Sequence, residues 1–194
     1  MTIPAHSTTA GDGLTIGRAA LRRLRQSLLR DASEAAVPIL QEAGFAAGEG
    51  VYHAFCAWLP ARTGVARPED LDAAQLSEVL SAFFQSAGWG TVTVAPLGAA
   101  ALAMDTGDWA EAEPGTAETP TCFFSAGMLS DFLGRLSGEH VAVMEVECRS
   151  KNDPRCRFLS ASPDTLNAVY EQVTQGRTYE EVLGARGSGL GTRG

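Results

Sequence analysis

The hydrophobic period changes once along this chain, at the "GWG" of residues 88–90, and that change limits the fold more than any other feature. Before it, apolar residues recur at helical spacing. Leu21, Leu24 and Leu28 mark a first helix with arginines on its other face. A second is expected from Ser33 to about Ala43, stopping at Gly44, and a third from Phe45 to Leu59, ended by Pro60. A fourth follows Pro68 and carries Leu76, Val79, Leu80, Phe83 and Phe84 up to Gly88. After the change, "GTVTVAPLG" alternates like a strand and "AAALAMD" reads as its hairpin partner. The acidic loop "TGDWAEAEPGTAETP" and the amphipathic helix "CFFSAGMLSDFLGRL" come next. Two further strands, "HVAVMEVECRS" and "RCRFLSAS", are joined by a turn over Lys151–Pro154. Ser162-Pro163-Asp164 opens a helix through Val173, and "TYEEVLG" forms a short one. Helices first and antiparallel strands later, without alternating βα units, make this α+β: helices packed on an antiparallel sheet of about four strands.

A chain of 194 residues, 45% hydrophobic and 20% charged, is enough for one domain with a substantial core. That domain is expected over residues 14–185, between a flexible leader at 1–13 and a flexible tail at 186–194. The leader lacks the basic and apolar regions of a secretory signal, and no apolar run reaches the ~18 residues of a membrane span. A cytosolic setting, with thiols kept reduced, follows as the expectation. The net charge of −8 is uneven. Residues 1–30 hold five arginines and one acid, Asp12, while the remainder carries 10 basic and 22 acidic residues. So acidic a body repels nucleic acid. The arginine-bearing helix is read as a solvated face, with an acidic partner surface as the alternative.

Within "MEVECRSKNDPRCRFLSAS", Cys148 and Cys156 stand eight positions apart across a polar, proline-containing turn. A hairpin brings such positions together, but the spacing alone fits a metal clip, a disulfide or two buried thiols. Cys122 opens a helix, where the backbone dipole favours a thiolate. Cys56, in "HAFCAWL", reads as a small core residue.

"EVECRSKNDPRCRF", together with "PTCFFSAGMLSDFLGRL" and "DWAEAE" upstream, resembles the 4-vinyl reductase domain family across residues 88–161. That family includes sensory domains of phenol- and xylene-responsive transcription activators and shares a fold with TRAPP subunits. The resemblance implies structural zinc held by Cys122, Glu145, Cys148 and Cys156. Glu147 and His140 are rivals for the fourth place, since strand alternation puts Glu145 and Glu147 on one face. It also implies an apolar cavity lined by Trp89, Leu102, Met104, Phe132, Val143 and Phe158, and a homodimer. The strand "TVTVAPL" departs from the phenol sensors: it has no histidine, and Pro96 falls near that place. His53 is the one histidine of the helical half that could substitute, and Trp109 is assigned to the acidic loop, outside the pocket.

The resulting expectation is a stand-alone, zinc-stapled module that binds or senses an apolar or aromatic small molecule and signals through a separate output protein. An accessory factor or reductase of tetrapyrrole (bacteriochlorophyll-type) metabolism is the first alternative. No G-x-G-x-x-G follows a strand and no phosphate-binding G-x-x-x-x-G-K-[ST] occurs, so a binding module is favoured over an enzyme. A dimerising interaction protein without ligand is the second alternative.

Overall fold

The computed structural model describes residues 16–187; the expected leader, and the expected tail beyond Gly187, lie outside them. The elements are α1 (Arg18–Asp31), α2 (Ala36–Thr63), α3 (Leu76–Ser86), β1 (Thr93–Leu97), β2 (Ala101–Thr106), α4 (Phe123–Ser137), β3 (Ala142–Glu147), β4 (Cys156–Ala161), α5 (Pro163–Thr174) and α6 (Tyr179–Gly187). Four antiparallel strands form one sheet in the order β1-β2-β4-β3, as the α+β reading requires.

Alternation along the strands feeds two cores. Met104, Phe158 and Val143 face the side covered by α2, α3 and α4. Ala103, Leu159 and Met144 face the side covered by α5 and α6, where Leu166, Val169, Val182 and Leu183 complete a smaller core. Pro96 is accommodated because β1 is an edge strand. The backbone N–H groups of Val92 and Val94 donate instead to the hydroxyls of Ser81 (3.1 Å) and Ser77 (2.8 Å) on α3.

Two helical expectations are corrected. The segments divided at Gly44 form one helix of 28 residues, and Pro60 lies inside its last turn, before the left-handed Gly64 ends it. Gly44 is no stop: it is where the backbone of α4 touches α2. A Cβ there would lie 1.9 Å from the carbonyl oxygen of Phe124, and one at Gly127 of α4 would lie 2.1 Å from that of Gln41. A Cβ at Gly48 would meet that of Asp131 at 2.5 Å. Glycine at these three sites lets two helices approach backbone to backbone.

The second correction concerns α1. Its arginines do not form a solvated face. Arg18 donates to the carbonyl of Gly88 at 2.8 Å, Arg22 to that of Ala110 at 2.9 Å, and Arg25 is buried. The helix is strapped onto the acidic loop of its own chain. Among the described residues no helix is long and apolar enough to cross a membrane.

Candidate functional site

Three segments meet at the four residues expected to be ligands. Cys122 is the N-cap residue of α4, Glu145 lies on β3, and Cys148 and Cys156 flank the turn from β3 to β4. That turn is a single 3-10 turn, Arg149–Lys151, closed by Asn152 in the left-handed region (φ 69°), which asparagine tolerates better than most residues. The Cys148 carbonyl accepts from Lys151 and Asp153 N–H, and the Asp153 carboxylate accepts from Cys148 N–H at 2.8 Å. The backbone is thereby folded so that both thiols point one way.

One candidate ligand atom from each of Cys122, Glu145, Cys148 and Cys156 lies within 4.8 Å of all the others. The Cys122 and Cys148 sulfurs are 3.8 Å apart. A tetrahedral shell with metal–sulfur bonds of about 2.3 Å has neighbouring sulfurs about 3.8 Å apart. All three thiols are buried. One Glu145 oxygen accepts from Cys122 N–H at 2.9 Å, whereas the other, Oε1, is buried with no hydrogen-bond partner among the described residues. A buried carboxylate oxygen without a donor is costly unless a cation takes that place.

The electrostatics agree. Hydrogen bonds from Cys122 and Cys156 lower Cys148 far below the usual thiol range, while the same contact with Cys148 raises Cys122. Burial, then the negative charge on Cys148, pushes Glu145 up to about 8. A cluster of four acids in one dry place resists ionising together, and a dication removes that resistance. Three thiolates and one carboxylate complete four-coordination, the closed arrangement of a structural site.

The rivals for the fourth position lie elsewhere. A bulge between Glu145 and Glu147 breaks the alternation and turns Glu147 to the opposite face of the sheet. There it pairs with Arg155 at 2.9 Å and accepts from the Tyr179 hydroxyl, beside an Arg157–Asp105 pair at 2.7 Å. His140 is exposed, as is His53 on α2, and Cys56 is half-buried on α2, apart from the cluster.

The expected cavity lining is only partly brought together. Met104, Phe132 and Phe158 are buried in one core with Trp89 and Val143 packed against it, but Leu102 is 37% exposed. Rings fill this core: Phe84 and Phe132 centroids are 5.3 Å apart, Phe55 and Phe132 5.6 Å, and Trp109 and Phe158 5.7 Å. A surface groove of about 310 Å3 between α2, α4 and β3 is lined by Val143 and Phe45, among others, and by none of the other five expected residues. A second groove, of about 550 Å3, runs between α2 and α3 beside Trp58 and Arg62.

Trp109 corrects the sequence reading, because it lies in the core at 1% exposure, stacked 5.4 Å from Trp89. Its indole N–H donates to the Ser125 hydroxyl at 2.7 Å, and the same serine donates to the buried carboxylate of Glu111. Glu111 also accepts from the N–H groups of Phe124 and Ser125, capping α4 in place of a side chain from Cys122. The signal in the sequence was the alternation Trp109-Ala110-Glu111 within a loop otherwise rich in acids.

Residues 109–160 match the model of the 4-vinyl reductase domain family. The matched segment runs from Trp109 to Ser160 and contains all four clip residues, so the resemblance read from the sequence is borne out. Among solved structures, the chain is similar to the phenol-responsive sensory domain of the transcription activator PoxR, crystallised with phenol. The TM-score is 0.55 and the identity 18%, over 77% of this chain and 76% of that one. It is also similar to a vinyl-4-reductase family protein from Methanocaldococcus jannaschii, with TM-score 0.48 and 18% identity, over 77% of this chain and 83% of that one. These likenesses concern the fold. No curated protein matches the chain.

Burial raises Glu111 to about 7, against the hydrogen bonds from Ser125 and Phe124 and the attraction of Arg25. Its folded value lies above the usual 4.5, so between those limits the native state binds more protons than the unfolded state. Stability from this group is therefore full below about pH 4.5 and falls as pH rises to about 7, by on the order of a few kcal/mol. Glu111→Gln should remove that decline. Urea unfolding at pH 5 and pH 7.5 is the test, and parallel losses in both proteins would count against the assignment.

Proposed function

We propose that the chain is a small-molecule sensing module in which zinc fills the clip as a structural staple and an apolar or aromatic ligand lodges among the neighbouring rings. The observation that carries this reading is that clip and rings share one core. Glu145 and Val143 lie two apart on β3 and face one side; so do Cys156 and Phe158 on β4. Anything lodged against Val143 and Phe158 presses on the strands that hold two ligands. The fold likeness to a phenol-responsive domain supports the same reading. Trp89, Met104, Phe132, Val143 and Phe158 are the proposed contacts; Leu102, being exposed, is left out. Val143 also lines the 310 Å3 groove, and the entrance is placed there. Homodimerisation belongs to the proposal, but its interface would not rest on Arg18, Arg22 or Arg25, which are engaged within the chain.

The ligand should not need a hydroxyl. The polar groups nearest the rings, the Trp109 N–H and the Glu111 carboxylate, are already satisfied by Ser125 and by α4. A buried hydroxyl without a partner costs about 1–3 kcal/mol. Burying a benzene-sized ring returns a few kcal/mol at about 25 cal/mol per Å2, enough for micromolar to millimolar affinity. Calorimetry on zinc-loaded protein with toluene, naphthalene, phenol and catechol should rank toluene at or above phenol. Phenol clearly better than toluene would contradict this pocket. Binding by none of the four would favour a dimerising interaction protein, the reading that the closely packed rings support.

A further inference from the structure

Arg25 is the one charged residue of α1 that is fully buried, at 1% exposure, and it lies in the part of the fold that carries the clip. Its Nη1 donates to the Thr121 hydroxyl at 3.0 Å and to the Ser150 hydroxyl at 3.3 Å. Thr121 immediately precedes Cys122, and Ser150 follows Cys148 by two positions. The Ser150 hydroxyl in turn hydrogen-bonds the Cys148 sulfur. The same hydroxyl accepts from Glu113 N–H, and Glu113 accepts from Gln26, one residue beyond Arg25 on α1. One helix thus reaches both backbone segments that present thiols. The Arg25 Nε is buried with no hydrogen-bond partner among the described residues, so this cation is not fully neutralised by hydrogen bonds.

Charge explains why a cation belongs here. Three thiolates and a carboxylate around a dication leave two negative charges in a dry interior, where an uncompensated charge is expensive. Groups outside the coordination shell that donate toward the ligands are what make such a site hold its metal.

On the reading that the clip holds zinc, we infer that Arg25 is the counter-charge of the filled clip. Through Thr121 and Ser150 it links metal retention and the docking of α1 in one equilibrium. Linkage is reciprocal: whatever factor Arg25 adds to metal affinity, the metal adds to the docking of α1.

Competition for zinc against a chelator of known affinity tests the first half. Arg25→Met should release zinc about 10–100-fold more readily than the unaltered chain, the usual effect of losing an outer partner. Arg23→Met, at an exposed position of the same helix, should change nothing. If Arg25→Met does not fold, Ser150→Ala, which leaves the arginine and removes its bridge to Cys148, should show a loss of about tenfold. Amide exchange over residues 18–31 tests the second half and should quicken when the unaltered chain is stripped of zinc. A folded Arg25→Met that holds zinc within twofold of the unaltered chain would overturn the inference. So would unchanged protection of α1 on stripping. If the unaltered chain takes up no zinc, the metal reading itself falls and this linkage with it. That failure is distinct, because no protein then shows metal to compare.

Discussion

Cys148→Ser should leave the purified chain with less than about a tenth of its zinc and lower its unfolding midpoint by roughly 10–20 °C. Structural zinc contributes an apparent ~10–16 kcal/mol where it organises an unfolded peptide. Here strands and helix already hold the ligands together, so only part of that is at stake, about 5 kcal/mol. For a domain of this size each kcal/mol moves the midpoint by about 2–4 °C. Chelator treatment of the unaltered protein should reproduce the shift, and added zinc should reverse it. Glu145→Gln should fall between, since it removes one ligand charge and keeps the acceptor for Cys122 N–H. Elemental analysis and thermal unfolding check these outcomes. Well under one zinc per chain in protein never exposed to chelator, or a midpoint indifferent to the metal, would defeat the staple.

Gly127→Ala and Gly44→Ala should each cost about 3 kcal/mol or more, whereas Gly50→Ala, in the same helix as Gly44, should stabilise by up to about 1 kcal/mol. The contrast follows from what a methyl group meets. At positions 44 and 127 it meets backbone carbonyls at 1.9 and 2.1 Å, which yield only if α2 and α4 move apart. At position 50 it meets nothing within 4 Å, leaving the ordinary preference of a helix for alanine over glycine. Denaturant unfolding of the three variants decides this. Equal, small effects at all three sites would mean that the helices are not in backbone contact.

The sequence was most informative where one local rule acted without competition. The change of period at residues 88–90, the two hairpins and the Ser162-Pro163 helix start are all present, because each depends on neighbouring residues alone. The four clip residues converge because a hairpin and a helix start bring them together. The misreadings came from tertiary contacts. Gly44 looked like a helix end because its function, closeness to α4, belongs to a partner about 80 residues away. Glu147 was placed on the wrong face because a bulge leaves no mark in the alternation. Trp109 was placed outside because its loop is acidic, although Glu111 is buried as the cap of another helix. Arg25 looked like its neighbours on α1; only the fold shows it buried against Thr121 and Ser150.

The serine hydroxyls that α3 offers to the first strand have a consequence for crowded solutions. An edge strand with free N–H groups is a template on which a second chain can add a strand, and the result is aggregation. Here Ser77 and Ser81 occupy the donors of Val94 and Val92, and Pro96 has none to give. The sheet is thus sealed on that side by side chains, and replacing both serines by alanine should expose a docking edge without touching either core. Growth of light scattering on concentration of that double variant, at unchanged zinc content, is the expected sign.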